Sequence, residues 1–148
     1  MKYFLIALTF ISNTGHAQTG EDSIKMVINK MFAAMKNADT LLLKDCFADS
    51  MILQSLSVNK EGTVVVRNES SREFINFIGK ELPGNADERI SYETIKIDGP
   101  LAIAWTPYQF YYKGQLSHCG VNSFQLVRYN GSWKIQYIID TRRKQQCI

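Results

Sequence analysis

Residues 101–142, LAIAWTPYQFYYKGQLSHCGVNSFQLVRYNGSWKIQYIIDTR, decide the fold of this chain. The stretch is rich in β-branched and aromatic residues, which is typical of strands. Lys113-Gly114 and Asn130-Gly131 interrupt it, and Asn-Gly is a strong signal for a two-residue hairpin turn. The stretch therefore predicts an antiparallel meander of three long strands, which are Leu101–Tyr112, Gln115–Tyr129 and Ser132–Arg142.

The segments before the meander predict helices and shorter strands. Glu21–Asn37 carries apolar residues at spacings of three and four, which predicts an amphipathic helix. Ser70 and Glu73 match a capping box and predict the start of a further helix. The remaining segments are a short helix and three strands, namely Leu41–Phe47, Met51–Val58, Thr63–Arg67 and Arg89–Asp98.

The predicted order of elements is α-α-β-β-α-β-β-β-β. Helices that come first and are followed by an antiparallel meander favour an α+β domain. In such a domain the helices pack on one face of a curved antiparallel sheet, which gives a cone shape. With 148 residues, of which 45% are apolar and 21% charged, the chain suits one globular domain.

This order resembles the nuclear transport factor 2-like (NTF2-like) superfamily over about residues 21–142. Trp105–Tyr108, Ser117–Asn122, Trp133–Ile135 and Asp140–Arg143 look like the corresponding stretches of exported bacterial members. The resemblance implies a cone-shaped pocket and, frequently, a homodimer that forms through the sheet. It does not imply one activity, because a widely used fold carries unrelated functions.

Residues 1–17 have the pattern of a secretory signal peptide. Lys2 precedes the apolar run Tyr3–Ile11, and Gly15 and Ala17 fit a cleavage site after Ala17. The alternative is an N-terminal strand or helix that stays in the fold. We therefore expect a periplasmic or secreted protein, with one domain at 21–142 and a C-terminal tail at 143–148.

Charge, cysteine content and motifs exclude several classes of partner. Removal of Lys2 with residues 1–17 leaves 16 basic and 14 acidic residues, a net charge of +2, which does not indicate nucleic acid. We interpret Arg142-Arg143-Lys144 as a solvated chain end, and no interior apolar run has the length of a membrane span. No cofactor and no metal site is expected, because phosphate-loop, nucleophile-elbow and zinc patterns are lacking.

The three cysteines leave their pairing open. Cys46, Cys119 and Cys147 are odd in number, so at least one thiol stays free if the protein is exported. A buried free thiol is the simplest interpretation of Cys46. A bridge between Cys119 and Cys147 is an alternative to free thiols.

The two turns predict which side chains face the helices. If each is a regular two-residue turn, Phe124 pairs with Tyr137, Asn122 with Ile139, and Gln109 with His118. A β-bulge would shift part of this pairing by one residue. The predicted inner face, and hence the predicted ligand-binding set, consists of Trp105, Gln109, Tyr111, His118, Asn122, Phe124 and Tyr137.

His118 is the candidate general base of this set, because its ordinary pKa lies near neutrality. Asn122 or Gln109 would orient it, and the alternative is a core histidine satisfied by hydrogen bonds. Trp105, Phe124 and Tyr137 form either a stacking wall for a flat ligand or ordinary core.

Asp140 and Arg142 are expected on the outer face as a surface or interface ion pair, unless a bulge turns them inward as an acid–base set. Glu69 is assigned a solvated or capping role. The resemblance brings in ketosteroid isomerases, which use a helix tyrosine and two acids. Residues 21–37 contain no tyrosine, and the predicted inner strand face after residue 100 contains no acid.

Three functions follow as hypotheses. The first is an exported protein that binds a small, largely apolar or aromatic ligand in a cone-shaped pocket. The second is an isomerase, cyclase or dehydratase with His118 as general base. The third is a homodimeric interaction module whose outer sheet face, with Val121, Ser123, Gln125 and Ile138, packs on a second copy.

Overall fold

The computed structural model of the protein describes residues 20–147. Its helices are α1 (Gly20–Lys36), α2 (Thr40–Cys46) and α3 (Ser71–Ile78). Asp39 caps α2 by accepting a hydrogen bond from the backbone N–H of Leu42. The predicted capping box of α3 is present, with reciprocal hydrogen bonds between Ser70 and Glu73. Residues 1–17, the predicted signal peptide, lie outside the described residues.

The strands form one curved sheet with the order β2-β1-β7-β6-β5-β3, and β4 also pairs with β5. The α+β prediction is confirmed. The sheet is mixed, because β1 and β7 run parallel while the other pairs are antiparallel. The strand bounds are β1 Phe47–Val58, β2 Val64–Ser70, β3 Ala86–Ile90, β4 Thr94–Asp98, β5 Leu101–Tyr112, β6 Gln115–Tyr129 and β7 Ser132–Thr141.

The core lies between the helices and the inner face of the sheet. The buried stripe of α1, which includes Ile24, Ile28 and Phe32, faces the strands. Phe32 makes an edge-to-face contact with the fully buried Phe124 of β6, with ring centroids 6.1 Å apart. No helix in residues 20–147 is long and apolar enough to cross a membrane.

The predicted register of β6 and β7 is correct only near their turn. Tyr129 pairs with Ser132 as expected, and Leu126 pairs with Ile135. A bulge at Gln136 then shifts the pairing by one residue. As a result Phe124 faces Ile138 instead of Tyr137, so the expected pairing is wrong beyond the bulge.

The predicted register of β5 and β6 fails for the same reason. Tyr111 pairs with Leu116, but a bulge at Ser117 makes Phe110, and not Gln109, the partner of His118. The inner side chains of β5 are therefore the even-numbered ones. Trp105, by contrast, is on the outer face and 45% exposed. The prediction for β6 itself holds, since Asn122, Phe124 and Leu126 are buried.

The cysteine pairing left open by the sequence is settled for these residues. Cys119 and Cys147 form a disulfide, and Cys46 is free and buried. The backbones of Cys119 and Arg143 also exchange two hydrogen bonds of 2.9 Å. The C-terminal tail is thereby attached to β6, which fixes the backbone next to Arg142.

Candidate functional site

A cavity of about 300 Å³ lies between α1, α3 and the inner face of the sheet. Its larger part is apolar, and it is lined from both helices as well as from the strands. We call this part the apolar wall, which consists of Met31, Phe32, Met35, Leu53, Phe74, Phe77, Ile78, Phe110, Phe124 and Ile138. We call the rest the polar end, which consists of Glu69, Glu88, Tyr108, His118, Asn122, Asp140 and Arg142.

Glu88 and Asn122 form a hydrogen-bonded pair at the polar end. Glu88 is on β3 opposite Phe110, so its side chain shares the inner face with that ring. Asn122 Nδ2 donates to Glu88 Oε1 at 2.7 Å. Burial raises the pKa of the Glu88 carboxyl to about 7, and the bond from Asn122 only partly opposes this effect. Glu88 can therefore exchange a proton near neutral pH.

Asp140 is the second carboxyl group of the polar end, and the bulge at Gln136 turns it inward. Tyr108 Oη donates to Asp140 Oδ2 at 3.0 Å, and Arg142 Nε donates to the same oxygen at 2.8 Å. The other oxygen, Oδ1, is buried and has no hydrogen-bond partner in the structure. An acceptor in this position is suited to a donor from a ligand or a water molecule.

Gly120 allows Tyr108 to reach Asp140. A Cβ atom at this position would collide with the carbonyl oxygen of Thr141 and lie 2.9 Å from the ring of Tyr108. The absence of a side chain lets the tyrosine pass across β6, where its hydroxyl also donates to Thr141 O at 2.9 Å. Burial, followed by the charge of Asp140, raises the pKa of Tyr108, so its hydroxyl stays a donor.

His118 lies at the polar end with its ring 5.0 Å from the ring of Phe110 and 5.7 Å from that of Tyr108. Burial and then the nearby Arg142 lower the pKa of His118 below its usual 6.5, so the imidazole is neutral at pH 7. Its Nδ1 is 3.1 Å from Ser117 Oγ. Asn122, the predicted orienting partner, bonds to Glu88 instead.

Three of the seven predicted site residues, His118, Asn122 and Phe124, line this cavity. The other four do not line it, because the bulges change the parity of β5 and of the second half of β7. Tyr111 donates to Gln109 Oε1 at 3.0 Å, and its ring lies under the guanidinium of Arg89. Tyr137 donates to Gln54 of β1, and Trp105 is on the outer face.

Sequence reasoning missed the carboxyl groups of the site. The expectation that Asp140 and Arg142 lie on the outer face is wrong, because a bulge turns them inward, where they form an ion pair. Glu69, expected to be solvated or capping, lines the cavity, and burial raises the pKa of its carboxyl. Glu88 precedes the predicted strand Arg89–Asp98, whereas the structure has two strands in this region, and the first of them, β3, begins at Ala86.

No group of three or more histidine, cysteine, aspartate or glutamate side chains in residues 20–147 is arranged to hold a metal ion. The side chains of the polar end offer hydrogen bonding, ion pairing and proton exchange. The fold and the site together define an α+β domain in which a curved sheet and two of its three helices line a small cavity.

Comparison with solved structures identifies this class. An NTF2-like protein from Shewanella baltica OS155 is similar, with a TM-score of 0.66 and 16% identity over 90% of this chain and all of that one. An NTF2-like protein from Cytophaga hutchinsonii ATCC 33406 matches with a TM-score of 0.63 and 16% identity, over 84% of this chain and 99% of that one.

A third similar structure is a domain with a cystatin-like fold from Nostoc punctiforme PCC 73102. Its TM-score is 0.64 and its identity 15%, over 90% of this chain and 82% of that one. No protein-family model matches the sequence, and no curated protein matches it significantly. The chain has the NTF2-like, cystatin-like fold, as the sequence resemblance predicted.

Proposed function

We propose that this protein binds a small, largely apolar or aromatic ligand in the cavity, and that it does so as an exported, periplasmic or secreted protein. The observation that carries the proposal is the cavity of about 300 Å³ with an aromatic wall and a few buried polar groups at one end. Such a combination is typical of small-molecule sites, in which shape gives affinity and convergent polar groups give orientation. The unpartnered Asp140 Oδ1 supplies an acceptor for the polar group of the ligand.

Displacement of a neutral fluorescent probe, N-phenyl-1-naphthylamine, by small aromatic compounds tests the proposal. Phe77 lines the cavity and is 46% exposed, so Phe77→Ala removes cavity surface with little damage to the core. We expect Phe77→Ala to weaken probe binding about threefold to tenfold, since an aromatic side chain contributes on this scale.

The matched control is Leu82→Ala, which removes an apolar side chain that is 72% exposed and is not among the cavity-lining residues. This variant should bind the probe like the original protein. Leu53→Trp, which places a larger side chain at the cavity wall, should reduce saturable binding. Binding that is absent, or that is the same in all these variants, would contradict the proposal.

An acid–base enzyme is a second candidate, and one observation favours it. The sequence pointed to His118 as base, but the pKa of about 7 makes Glu88 the group that can accept a proton at neutral pH within the cavity. We infer that Glu88 would remove a proton from the carbon next to a carbonyl group of a bound substrate. Deuterium exchange into 2-tetralone, followed by NMR, should be lost in Glu88→Gln and kept in His118→Ala. Exchange that depends on His118 alone would restore the original hypothesis.

A homodimer through the outer face of the sheet is a further proposal. Ile138, one of the residues expected on that face, is buried inside, whereas Leu101, Ile103 and Trp105 form an exposed apolar row on β5. Lys96 and Asp98 of β4 flank this row and have opposite charges, which suits a two-fold contact with a second copy. Light scattering should give a dimer for the original chain and a monomer for Trp105→Lys. A monomeric original chain excludes the contact.

A further inference from the structure

The polar end of the cavity has more carboxyl groups than cations. Glu69, Glu88 and Asp140 line it, and Arg142 is the one cationic side chain among the described lining residues. Arg142 forms its salt bridge with Asp140, at 2.8 Å. Among residues 20–147 neither Glu69 nor Glu88 has a basic group within 4.0 Å.

Asp140 Oδ1 is an independent sign that a donor belongs in this place. Asp140 is only 5% exposed, and this oxygen has no hydrogen-bond partner. A buried acceptor without a donor is unfavourable, because it has lost its hydration without a replacement. Arg142 and Tyr108 both donate to Asp140 Oδ2, so neither of them supplies a donor to Oδ1.

The apolar wall is also suited to a cation that carries an organic body. Five phenylalanine rings line the cavity, and they offer a large apolar surface to the organic body of such a ligand. These rings are Phe32, Phe74, Phe77, Phe110 and Phe124. An anion would instead meet three carboxyl groups at the polar end, with Arg142 already paired to Asp140.

We propose that the ligand of this cavity is a small primary amine, whose ammonium group donates to the carboxyl groups of Asp140 and Glu88 while its apolar body packs on the phenylalanine rings. This inference rests on the proposed function, since it assigns the chemical class of the ligand. An ammonium group has three donors and no acceptor. It therefore matches a polar end in which acceptors outnumber cations.

The proposal predicts that binding of an amine depends on pH. Glu88, with its pKa near 7, must lose its proton before it pairs with an ammonium group. Affinity for an amine should therefore rise between pH 6 and pH 8. The other groups that face Glu88 and Asp140 are Glu69, Tyr108, Asn122, His118 and Arg142, and His118 stays uncharged across most of this range because its pKa is lowered.

Isothermal titration calorimetry with three ligands of matched shape tests the inference. The ligands are 2-phenylethylamine, 2-phenylethanol and 3-phenylpropanoate, which present an ammonium, a hydroxyl and a carboxylate group on similar bodies. At pH 8 we expect the amine to bind about tenfold more tightly than the alcohol, because hydrogen bonds to charged groups are the stronger ones. The carboxylate should bind most weakly.

Glu88→Gln shows whether the carboxyl group causes this preference. Gln keeps an oxygen that accepts the hydrogen bond from Asn122, so the shape of the polar end should be retained. The variant should lower the affinity for the amine about tenfold and so remove most of the preference for the amine over the alcohol. Glu93→Gln removes an exposed carboxyl group that does not line the cavity and is the matched control.

The outcomes separate this inference from the proposed function. If the alcohol and the amine bind equally, or the carboxylate binds best, the amine inference is wrong and the ligand-binding function stands. If the preference for the amine persists in Glu88→Gln, the inference is also wrong. If none of the three ligands and no neutral probe binds, the proposed function itself is contradicted. Circular dichroism spectra confirm in each case that the variant is folded.

Discussion

The two parts of the cavity follow different physical rules. The apolar wall is made largely by residues of α1 and α3, whose inward positions follow from helical periodicity and whose burial stabilises the fold. The polar end is made by side chains of five paired strands and by Arg142, which follows β7. It contains two carboxyl groups whose pKa values burial raises.

This difference indicates that the two parts serve different purposes. An apolar surface of this kind lowers the free energy of the folded state wherever it is buried. Buried carboxyl groups without cations raise that free energy, and they persist in proteins chiefly where a ligand or a reaction uses them. The polar end is therefore where we expect function to reside, and substitutions should separate the two parts.

The largest expected effect comes from the apolar wall. Phe124 is completely buried and contacts Phe32, so Phe124→Ala should lower the free energy of unfolding by about 3–5 kcal/mol. Urea denaturation measures this loss. Phe77→Ala, at the half-exposed edge of the same wall, should lower it by about 1 kcal/mol. Equal losses would show that Phe124 does not belong to the rigid core.

A smaller effect is expected at Asp140. Asp140→Asn keeps the shape of the side chain but weakens its bonds with Arg142 and Tyr108. The Arg142 side chain is 43% exposed, so solvent screens the ion pair, and we expect a loss of about 1–2 kcal/mol in urea denaturation. Tyr108→Phe removes one donor and should cost about 1 kcal/mol. No loss in either variant would contradict the network described for the polar end.

A change in the pH dependence of stability is the effect expected at Glu88. Its pKa of about 7 lies above the ordinary value of 4.5, so the folded protein retains a proton that the unfolded chain has already lost. Protonated Glu88 therefore contributes to the free energy of unfolding. This contribution is fully present below about pH 4.5 and is lost as the pH rises through 7. Glu88→Gln should remove the decline and raise the melting temperature at pH 8 relative to the original protein.

The exposed Glu61→Gln, in the turn between β1 and β2, is the control for this measurement. It should leave the pH dependence of the melting temperature as it is. A decline of unchanged slope in Glu88→Gln would show that another group carries it, and Glu69 is the next candidate because burial raises the pKa of its carboxyl as well.

The sequence predicted the elements better than the site. The amphipathic pattern of residues 21–37, the capping box at Ser70 and the Asn130-Gly131 turn are local signals, and each corresponds to the observed structure. Of the seven predicted site residues, the structure brings together the three on β6. The prediction of the four others depends on a regular pairing of the strands over their whole length. One extra residue on a strand reverses the face on which all following side chains lie.

Glu88 shows why the remaining residues of the site could not be predicted from the sequence. Nothing in the neighbouring sequence distinguishes it from Asp87, which faces Lys36 and Arg89 in salt bridges. Its inward orientation comes from pairing with Phe110, which is 22 positions along the chain. Such pairing is a property of the assembled sheet.

By itself, the sequence determined the α+β class and the predominantly apolar character of the inner face. It also predicted the order of helices and strands, except that the single strand expected at Arg89–Asp98 is two strands, β3 and β4. Local periodicity and turn chemistry encode these features, because each depends on residues a few positions apart. The tertiary structure alone decided that Glu69, Glu88 and Tyr108 join His118 and Asn122 in the cavity. The bulges at Ser117 and Gln136 turn Tyr108 and Asp140 inward, since a strand alternates its faces and a single inserted residue changes which side chains face the core.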